Sequence, residues 1–160
     1  MPSEQEINRA VDRYADMLRR ICMLYMKNEA DCEDIFQTVF LKYLQRKEPF
    51  QSQEHEKAWL IRVAINACKD LRRSFFRSRT LSLDEIAEPA VAMPPDHREV
   101  LEAVLSLPQK YKEVIYLHYY EEYTAPQIGK LLHKNTNTVY SLLARGRTLL
   151  KEKLGDADYE

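Results

Sequence analysis

The chain has 160 residues, of which 24 are basic and 25 acidic, so its formal net charge is −1. This length allows one sizeable hydrophobic core or two small ones. Three widely spaced cysteines argue against a disulfide scaffold, and four histidines show no zinc-like spacing with cysteine, so no metal or cofactor is expected. The chain opens without a signal peptide and contains no run of about 18 apolar residues, so we expect a cytoplasmic protein without membrane insertion.

The charged residues are segregated along the chain. Residues 58–80 hold six basic residues and one acidic residue, whereas residues 81–107 hold one basic residue and six acidic ones. Residues 135–154 hold four basic residues and one acidic residue. Because a local field governs binding to a polyanion, the near-neutral total conceals two segments that are suited to nucleic acid.

The first 80 residues are predicted to form three helices, since their apolar residues recur at helical spacing. An apolar stripe from Ile7 onward predicts a helix that ends near Lys27, and Asp31 is expected to cap the second helix. Residues 45–56 lack a helical period and contain a proline, so they are predicted to form a loop. A third helix follows over residues 57–78.

The second half of the chain is predicted to form four helices. The first starts near Arg98, and Pro108 suits the opening turn of the second because its missing N–H costs nothing there. Thr124 and Gln127 form a capping box for the third helix, and Asn135 is expected to cap the last.

The predicted fold is therefore all-α, with two small helical domains. An N-terminal helical bundle occupies residues 1–79, and a C-terminal four-helix domain with a helix-turn-helix occupies residues 98–160. Residues 80–97 are acidic and rich in proline, which predicts a flexible linker between them.

Residues 124–147 have the pattern of a helix-turn-helix. Gly129 is small where two helices approach, and His133 occupies a turn position where glycine is common. Apolar residues fall where two steeply crossing helices touch: Ile128, Leu132, Val139 and Leu142. On the second helix, polar side chains that suit base edges precede cations that suit phosphates: Asn135, Thr136, Asn137, Tyr140 and Ser141, then Arg145, Arg147 and Lys151. The alternative interpretation is a helical hairpin whose basic residues face solvent.

The order of these segments resembles that of bacterial RNA polymerase sigma factors of the extracytoplasmic-function subfamily. The stretch DCEDIFQTVFLKYLQR is similar to the family's polymerase-binding helix, and KAWLIRVAINACKDLRR is similar to its WL-R-A-N-D-R helix. The stretches LSLPQKYKEVIYLHYYEEYTAPQIGKLL and NTVYSLLARGRTLLKEKL resemble the helices of its second domain. The joint order is more specific than any one of these motifs.

The resemblance implies roles for particular residues. Those expected to dock on core RNA polymerase are Asp34, Gln37, Phe40 and Lys42. The loop from Phe50 to Glu56 would hold a base flipped from the minus-10 element, a step that offsets the cost of unstacking. Asn66 would stand where the DNA strands separate. The residues expected to follow DNA phosphates there are Arg62, Lys69, Arg72, Arg73 and Arg77. The last helix would read the minus-35 element, and an anti-sigma factor is the expected regulator.

Several residues also have purely structural interpretations. Trp59 is expected to belong to the core, and Asp70 is expected to pair with a nearby arginine. The alternative role of Asp34 is a favourable interaction with the positive N-terminal end of its helix dipole. Tyr140 and Leu142 stand where the family often has basic residues, which indicates weaker phosphate contacts or an unusual promoter.

The resulting hypothesis is a promoter-specificity subunit without catalytic activity, because no catalytic constellation or phosphate-binding glycine loop is present in the sequence. One alternative is a polymerase-independent helix-turn-helix transcriptional regulator that uses residues 1–80 for dimerisation or sensing. Another is a protein-binding helical adaptor. Association with core polymerase in the absence of DNA distinguishes the first hypothesis from both alternatives.

Overall fold

The computed structural model describes residues 2–78 and 98–155. These residues form seven α-helices and contain no strand, which confirms the predicted all-α class. The helices are α1 (Glu4–Tyr25), α2 (Glu29–Gln45), α3 (Gln53–Ser78), α4 (Arg98–Leu105), α5 (Gln109–Tyr119), α6 (Ala125–Leu132) and α7 (Thr136–Leu154). The chain divides into two compact units, the first with α1–α3 and the second with α4–α7. The predicted linker, residues 80–97, lies outside the described residues.

The predicted cap of α2 is wrong. The N-cap is Asn28, whose Oδ1 accepts a hydrogen bond from the backbone N–H of Asp31 at 2.9 Å. The Asn28 Nδ2 also donates to the Asp31 carboxylate at 3.0 Å. Asn and Asp are both common cap residues. Because a capping side chain accepts from a backbone N–H two or three positions after its own, the bond to Asp31 N–H makes Asn28 the cap.

The start of α3 also differs from the prediction. The Ser52 hydroxyl accepts a hydrogen bond from the backbone N–H of His55 at 3.0 Å, and the Ser52 carbonyl accepts one from Glu56 N–H at 3.1 Å. The helix therefore begins at Gln53, and the loop before it is shorter than the predicted 45–56. The serine cap and two acidic residues in the first turn stabilise the beginning of the helix, although this turn has no periodic apolar residues that would reveal it in the sequence.

The apolar faces of α1, α2 and α3 form the core of the first unit. Its completely buried side chains include Leu18, Ile21, Leu24, Val39, Leu60, Ile61 and Ala64. Each helix also contributes one buried cysteine that forms no disulfide bond: Cys22, Cys32 and Cys68. The neighbouring Cys22 thiol and burial raise the pKa of Cys32, so this thiol packs as a small apolar group rather than as a nucleophile.

In the second unit, α7 packs closely against α5. A Cβ atom added at Gly146 would lie 2.9 Å from Cγ1 of Ile115. Any residue other than glycine at this position would therefore force the Ile115 side chain or one of the helices to move. The buried residues of α7 recur at steps of three and four positions and form one face: Val139, Leu143, Gly146 and Leu150. Pro108 is the N-cap of α5 rather than a residue of its first turn, and its carbonyl accepts hydrogen bonds from Tyr111 and Lys112.

The helices α6 and α7 form the predicted helix-turn-helix. The capping box is present, with Thr124 N–H donating to Gln127 Oε1 at 2.8 Å and Gln127 N–H donating to Thr124 Oγ1 at 3.3 Å. His133 ends α6 in the left-handed conformation, with φ of 59°. That conformation costs a non-glycine residue about 1–2 kcal/mol. Only Lys134 and Asn135 lie between His133 and the start of α7.

Gly129 is required by this turn. The Lys134 N–H donates to the Gly129 carbonyl at 2.8 Å, and a Cβ atom at position 129 would lie 2.6 Å from the Lys134 carbonyl oxygen. The close approach is therefore between α6 and the turn, not between the two helix axes. The predicted contact residue Leu142 is only half-buried, and Leu143 is buried in its place because it lies four residues after Val139.

Candidate nucleic-acid and polymerase interfaces

Four of the predicted DNA-binding residues lie on one face of α3. Arg62, Asn66, Lys69 and Arg73 recur at steps of four, three and four residues. Arg62, Asn66 and Arg73 are exposed, and Lys69 is half-buried. Arg72 lies off this stripe and is half-buried, and the Arg77 side chain lies outside the described residues. We call the four aligned residues the α3 stripe.

Arg73 forms the expected ion pair with Asp70. Its Nη2 lies 2.6 Å from Asp70 Oδ1, and both side chains are exposed, at 61% and 72%. An exposed pair of this kind contributes at most about 1 kcal/mol. The guanidinium can therefore exchange the carboxylate for a phosphate at little cost.

The exposed face of α2 carries the predicted polymerase contacts. Asp34, Gln37 and Leu41 follow at steps of three and four residues, so they share a face, and Lys42 lies beside them. Leu41 was not predicted, although 55% of it is exposed. Asp34 is the sixth residue of α2, beyond the first turn where a helix dipole favours acids, so the purely structural interpretation of its charge is weak.

Phe40 does not lie on this exposed face. It is half-buried, and its ring centroid lies 6.1 Å from that of Phe36 and 6.2 Å from that of Tyr43. Asp34, Gln37 and Lys42 are therefore accessible to a partner, whereas Phe40 packs against other aromatic rings of the first unit.

A groove of about 340 Å³ separates α2 from α3. Its walls include Asp34 and Lys42 from α2 and Asn66 and Asp70 from α3, with apolar residues between them. The structure thus brings two predicted polymerase-binding residues beside a predicted DNA-binding residue. The two surfaces adjoin along one groove.

A second groove, of about 510 Å³, lies beside the loop that joins α2 to α3. Phe50 lines it, with its ring centroid 5.5 Å from that of Trp59 and 5.8 Å from that of Tyr43. The Arg46 guanidinium lies 4.1 Å from the centroid of Phe50 and 5.3 Å from that of Trp59. Trp59 is half-buried, so it forms the inner wall of this aromatic cluster rather than part of the deep core. We call this cavity the Phe50 groove.

The cations around the Phe50 groove were missed by sequence reasoning. They come from α1 and from the loop that follows α2: Arg9, Arg13, Arg46 and Lys47. Arg46 is also held by a hydrogen bond from its Nε to the Glu48 carbonyl at 3.0 Å. The only signal in the sequence is the short basic run at positions 46–47, because Arg9 and Arg13 reach the groove through tertiary packing.

Glu56 holds the start of α3 against the other two helices. Its carboxylate accepts hydrogen bonds from the Tyr14 hydroxyl at 3.3 Å and from the Tyr43 hydroxyl at 2.7 Å. Burial, together with the charge of Glu56, raises the pKa of Tyr14 and of Tyr43. Both phenols therefore remain protonated donors at neutral pH and fix the base of the Phe50 groove.

The predicted base-reading residues lie at the first turns of α7. Asn137, Tyr140 and Ser141 are exposed, and 57% of Tyr140 is accessible. Thr136 is half-buried. Asn135 caps the helix, with its Oδ1 accepting from Asn137 N–H at 2.7 Å, so one end of its amide is already occupied.

The predicted phosphate-binding cations lie further along α7. Arg145 is exposed, and Arg147 donates from Nη1 to the Tyr119 hydroxyl at 3.1 Å. Tyr119 is the last residue of α5 and was not predicted as a site residue. Its contact joins residues that are 28 positions apart, so local sequence pattern carries no sign of it.

Both units match known sequence families. Residues 10–79 match the family model described as Sigma-70 region 2, and residues 97–150 match Sigma-70, region 4. The chain is 30% identical over 142 residues to RNA polymerase sigma factor SigV of Bacillus subtilis (strain 168), covering 87% of this chain and 85% of SigV. It is 27% identical over 163 residues to ECF RNA polymerase sigma factor SigW of the same organism, covering 91% of this chain and 87% of SigW.

Solved structures share the fold. The sigma factor RpoE from Bartonella quintana, crystallised with the anti-sigma factor NepR, has a TM-score of 0.75 and 21% identity, and the match covers 95% of this chain and 98% of that one. CnrH, in complex with the cytosolic domain of CnrY, has a TM-score of 0.63 and 21% identity, covering 98% and 92%. The chain belongs to the RNA polymerase sigma factors, in the extracytoplasmic-function subfamily.

Within the residues that the structure describes, every helix is too short or too polar to cross a bilayer.

Proposed function

We propose that this sigma factor directs core RNA polymerase to promoters by reading the minus-10 element with its first domain and the minus-35 element with its second. We take the domains to be residues 1–79 and 98–160, joined by 80–97. The observation that carries the proposal is the α3 stripe, a polar and cationic face in the same unit as the exposed face of α2 that holds Asp34 and Gln37. The chain would have no catalytic activity of its own and would act in the cytoplasm with polymerase.

The first domain would bind polymerase through α2. Asp34, Gln37 and Lys42 are exposed together there, and Leu41 adds an apolar contact that polymerase can cover. A central apolar contact ringed by polar groups is typical of protein interfaces.

The same domain would melt the minus-10 element. The Phe50 groove has an aromatic wall on which an extruded base can stack, and stacking on an aromatic side chain contributes about 1–3 kcal/mol per base. The α3 stripe would follow the backbone of the separated strand, with Asn66 at the point of separation.

The second domain would read the minus-35 element with α7. Asn137, Tyr140 and Ser141 face outward to meet base edges, and Arg145 and Arg147 lie beyond them to meet phosphates. Tyr140 suits a thymine methyl group better than a phosphate. Because few cations serve this helix, we expect tight binding only when polymerase supplies a high local concentration of the domain.

An anti-sigma factor is the proposed regulator. The structural neighbour RpoE is crystallised with the anti-sigma factor NepR, and its fold is shared along almost the whole of this chain. The alternative of a polymerase-independent regulator is not favoured, because the first unit matches Sigma-70 region 2 in addition to the helix-turn-helix. The same match disfavours a helical adaptor.

Reversing the charge of Asp34 tests the polymerase contact. Asp34→Lys is expected to weaken the DNA-independent complex with core polymerase at least several-fold, because it places a like charge where a cation of the partner is expected. The complex is measured by co-purification and by titration of labelled chain with core enzyme. Run-off transcription on a promoter library then reports the promoters that the wild-type chain selects.

Asp12→Lys is the matched control. It makes the same charge change at an exposed acidic residue of α1 that lines neither groove, and it should leave the complex intact. Equal binding by the Asp34→Lys variant and the wild-type chain would contradict the assignment of this face.

A further inference from the structure

Two exposed side chains from different helices meet on the surface of the second unit. Arg147 of α7 donates from Nη1 to the hydroxyl oxygen of Tyr119 of α5 at 3.1 Å, and 49% of Tyr119 is exposed. A phenol oxygen that accepts one hydrogen bond still has a proton to donate. The pair therefore presents a hydroxyl and the remaining N–H groups of a guanidinium side by side.

The packing of α7 on α5 makes this contact possible. Gly146 directly precedes Arg147, and a Cβ atom there would lie 2.9 Å from Cγ1 of Ile115. Tyr119 follows Ile115 by four residues, so it lies one turn further along the same face of α5. The close approach at Gly146 thus places the Arg147 guanidinium within hydrogen-bonding distance of the Tyr119 hydroxyl.

Tyr119 is itself supported. The His118 ring meets it edge-on, with centroids 4.7 Å apart, and His118 Nδ1 lies 2.9 Å from the Tyr123 carbonyl oxygen. A phenol held in this way restricts the rotamers of the arginine that donates to it. Restricting a long side chain before binding reduces the entropy that is lost on binding.

We propose that Tyr119 is a positioning residue that orients the Arg147 guanidinium to bind one backbone phosphate of the minus-35 duplex. The inference rests on the proposed reading of that element by α7. A phosphate accepts several hydrogen bonds at once and prefers the planar guanidinium fork, which Tyr119 orients. The contact carries no base information, so it would fix the register of α7 on the duplex.

The test uses the holoenzyme and a promoter duplex chosen by run-off transcription, with binding measured over a range of KCl concentrations. Tyr119→Phe removes one oxygen atom and no charge. It is expected to weaken binding by about threefold to tenfold. It is also expected to make the salt dependence less steep, because Arg147 no longer holds its phosphate. Arg147→Gln should lower the slope by about 0.9, the value for one phosphate contact.

The double variant separates positioning from an independent contact. In the Arg147→Gln background, Tyr119→Phe should have no further effect on affinity or slope. Arg147→Lys keeps the charge but loses the fork, so it should weaken binding while leaving the slope near the wild-type value. Tyr111→Phe removes a hydroxyl from the same helix and should change neither quantity.

Wild-type affinity and slope in the Tyr119→Phe holoenzyme would overturn the inference. An effect of equal size with and without Arg147 would also overturn it. Failure of the proposed function has a different signature, since the wild-type holoenzyme would then start transcription at no promoter in the library.

Discussion

The carboxylate of Glu56 accepts hydrogen bonds from two tyrosines that belong to two other helices. This single side chain therefore links all three helices of the first unit at the edge of the Phe50 groove. Hydrogen bonds to a charged group are stronger than neutral ones, and partial burial protects them from competition by water. The loop that we propose to present an aromatic ring to DNA is therefore anchored by hydrogen bonds outside that ring.

The stability of the first unit should depend on the protonation of Tyr43 at high pH. Burial and Glu56 raise its pKa from the usual 10.0. The contribution is complete below pH 10 and is lost as the pH rises through the folded-state pKa, because the unfolded chain releases the proton first. Tyr43→Phe should lower stability at neutral pH by about 1–3 kcal/mol and should flatten this alkaline loss.

Urea unfolding of the first unit between about pH 8 and pH 11, followed by Trp59 fluorescence, measures both effects. Glu56→Gln should flatten the alkaline loss less than Tyr43→Phe does, because burial of the phenol remains. Parallel profiles for Tyr43→Phe and the wild-type chain would contradict the role given to the Tyr43 hydroxyl.

At the scale of elements, the helix-turn-helix depends on two glycines with different neighbours. Gly129 faces the backbone carbonyl of Lys134 in the turn, and Gly146 faces the side chain of Ile115 on α5. A backbone carbonyl in a tight turn cannot rotate away, whereas a side chain can change its rotamer with some cost. The first glycine shapes the turn, and the second sets the distance between α7 and α5.

Alanine at each position should separate these effects. Gly129→Ala should destabilise the second unit by about 1–3 kcal/mol, after the gain in helix propensity of about 1 kcal/mol is included. Gly146→Ala should cost less in stability, but it should lengthen the contact between Tyr119 and Arg147 and weaken promoter binding. Thermal unfolding and promoter titration of the two variants provide the comparison, and a larger loss of stability for Gly146→Ala would contradict it.

At the scale of the whole molecule, a near-neutral chain carries two cationic surfaces, one in each unit. The acidic residues between positions 81 and 107 balance them in the total charge without neutralising either surface locally. Each surface is modest, since Arg73 is paired with Asp70 and α7 carries few cations. Promoter binding should therefore require both surfaces and polymerase together.

The spacing between the two promoter elements tests this requirement. Inserting five base pairs between them rotates one element by about half a turn of the duplex relative to the other. Initiation by the holoenzyme is expected to fall by at least about tenfold, whereas an insertion outside both elements should have little effect. Run-off transcription on matched templates measures this, and equal initiation from all of them would show that one domain suffices.

Local pattern was enough to predict the helices, the capping box at Thr124 and Gln127, and a turn at His133. Each of these depends on residues within about one turn of one another, where spacing and cap chemistry act directly. The errors at Asp31 and at the start of α3 are also local. At Asp31, two neighbouring residues satisfy the same capping rule, and at the start of α3 the first turn has no apolar period to mark it. The α3 stripe and the exposed face of α2 follow from helical periodicity alone.

By itself, the sequence determined an all-helical chain with two charged segments and the family to which their order belongs. Only the tertiary structure decided which side chains act together: Glu56 with Tyr14 and Tyr43, Phe50 with Arg46 and Trp59, and Tyr119 with Arg147. These groups join residues from different turns or different helices, and their contacts depend on how closely the helices pack. Helical period determines which face a residue occupies, but packing determines what lies opposite that face.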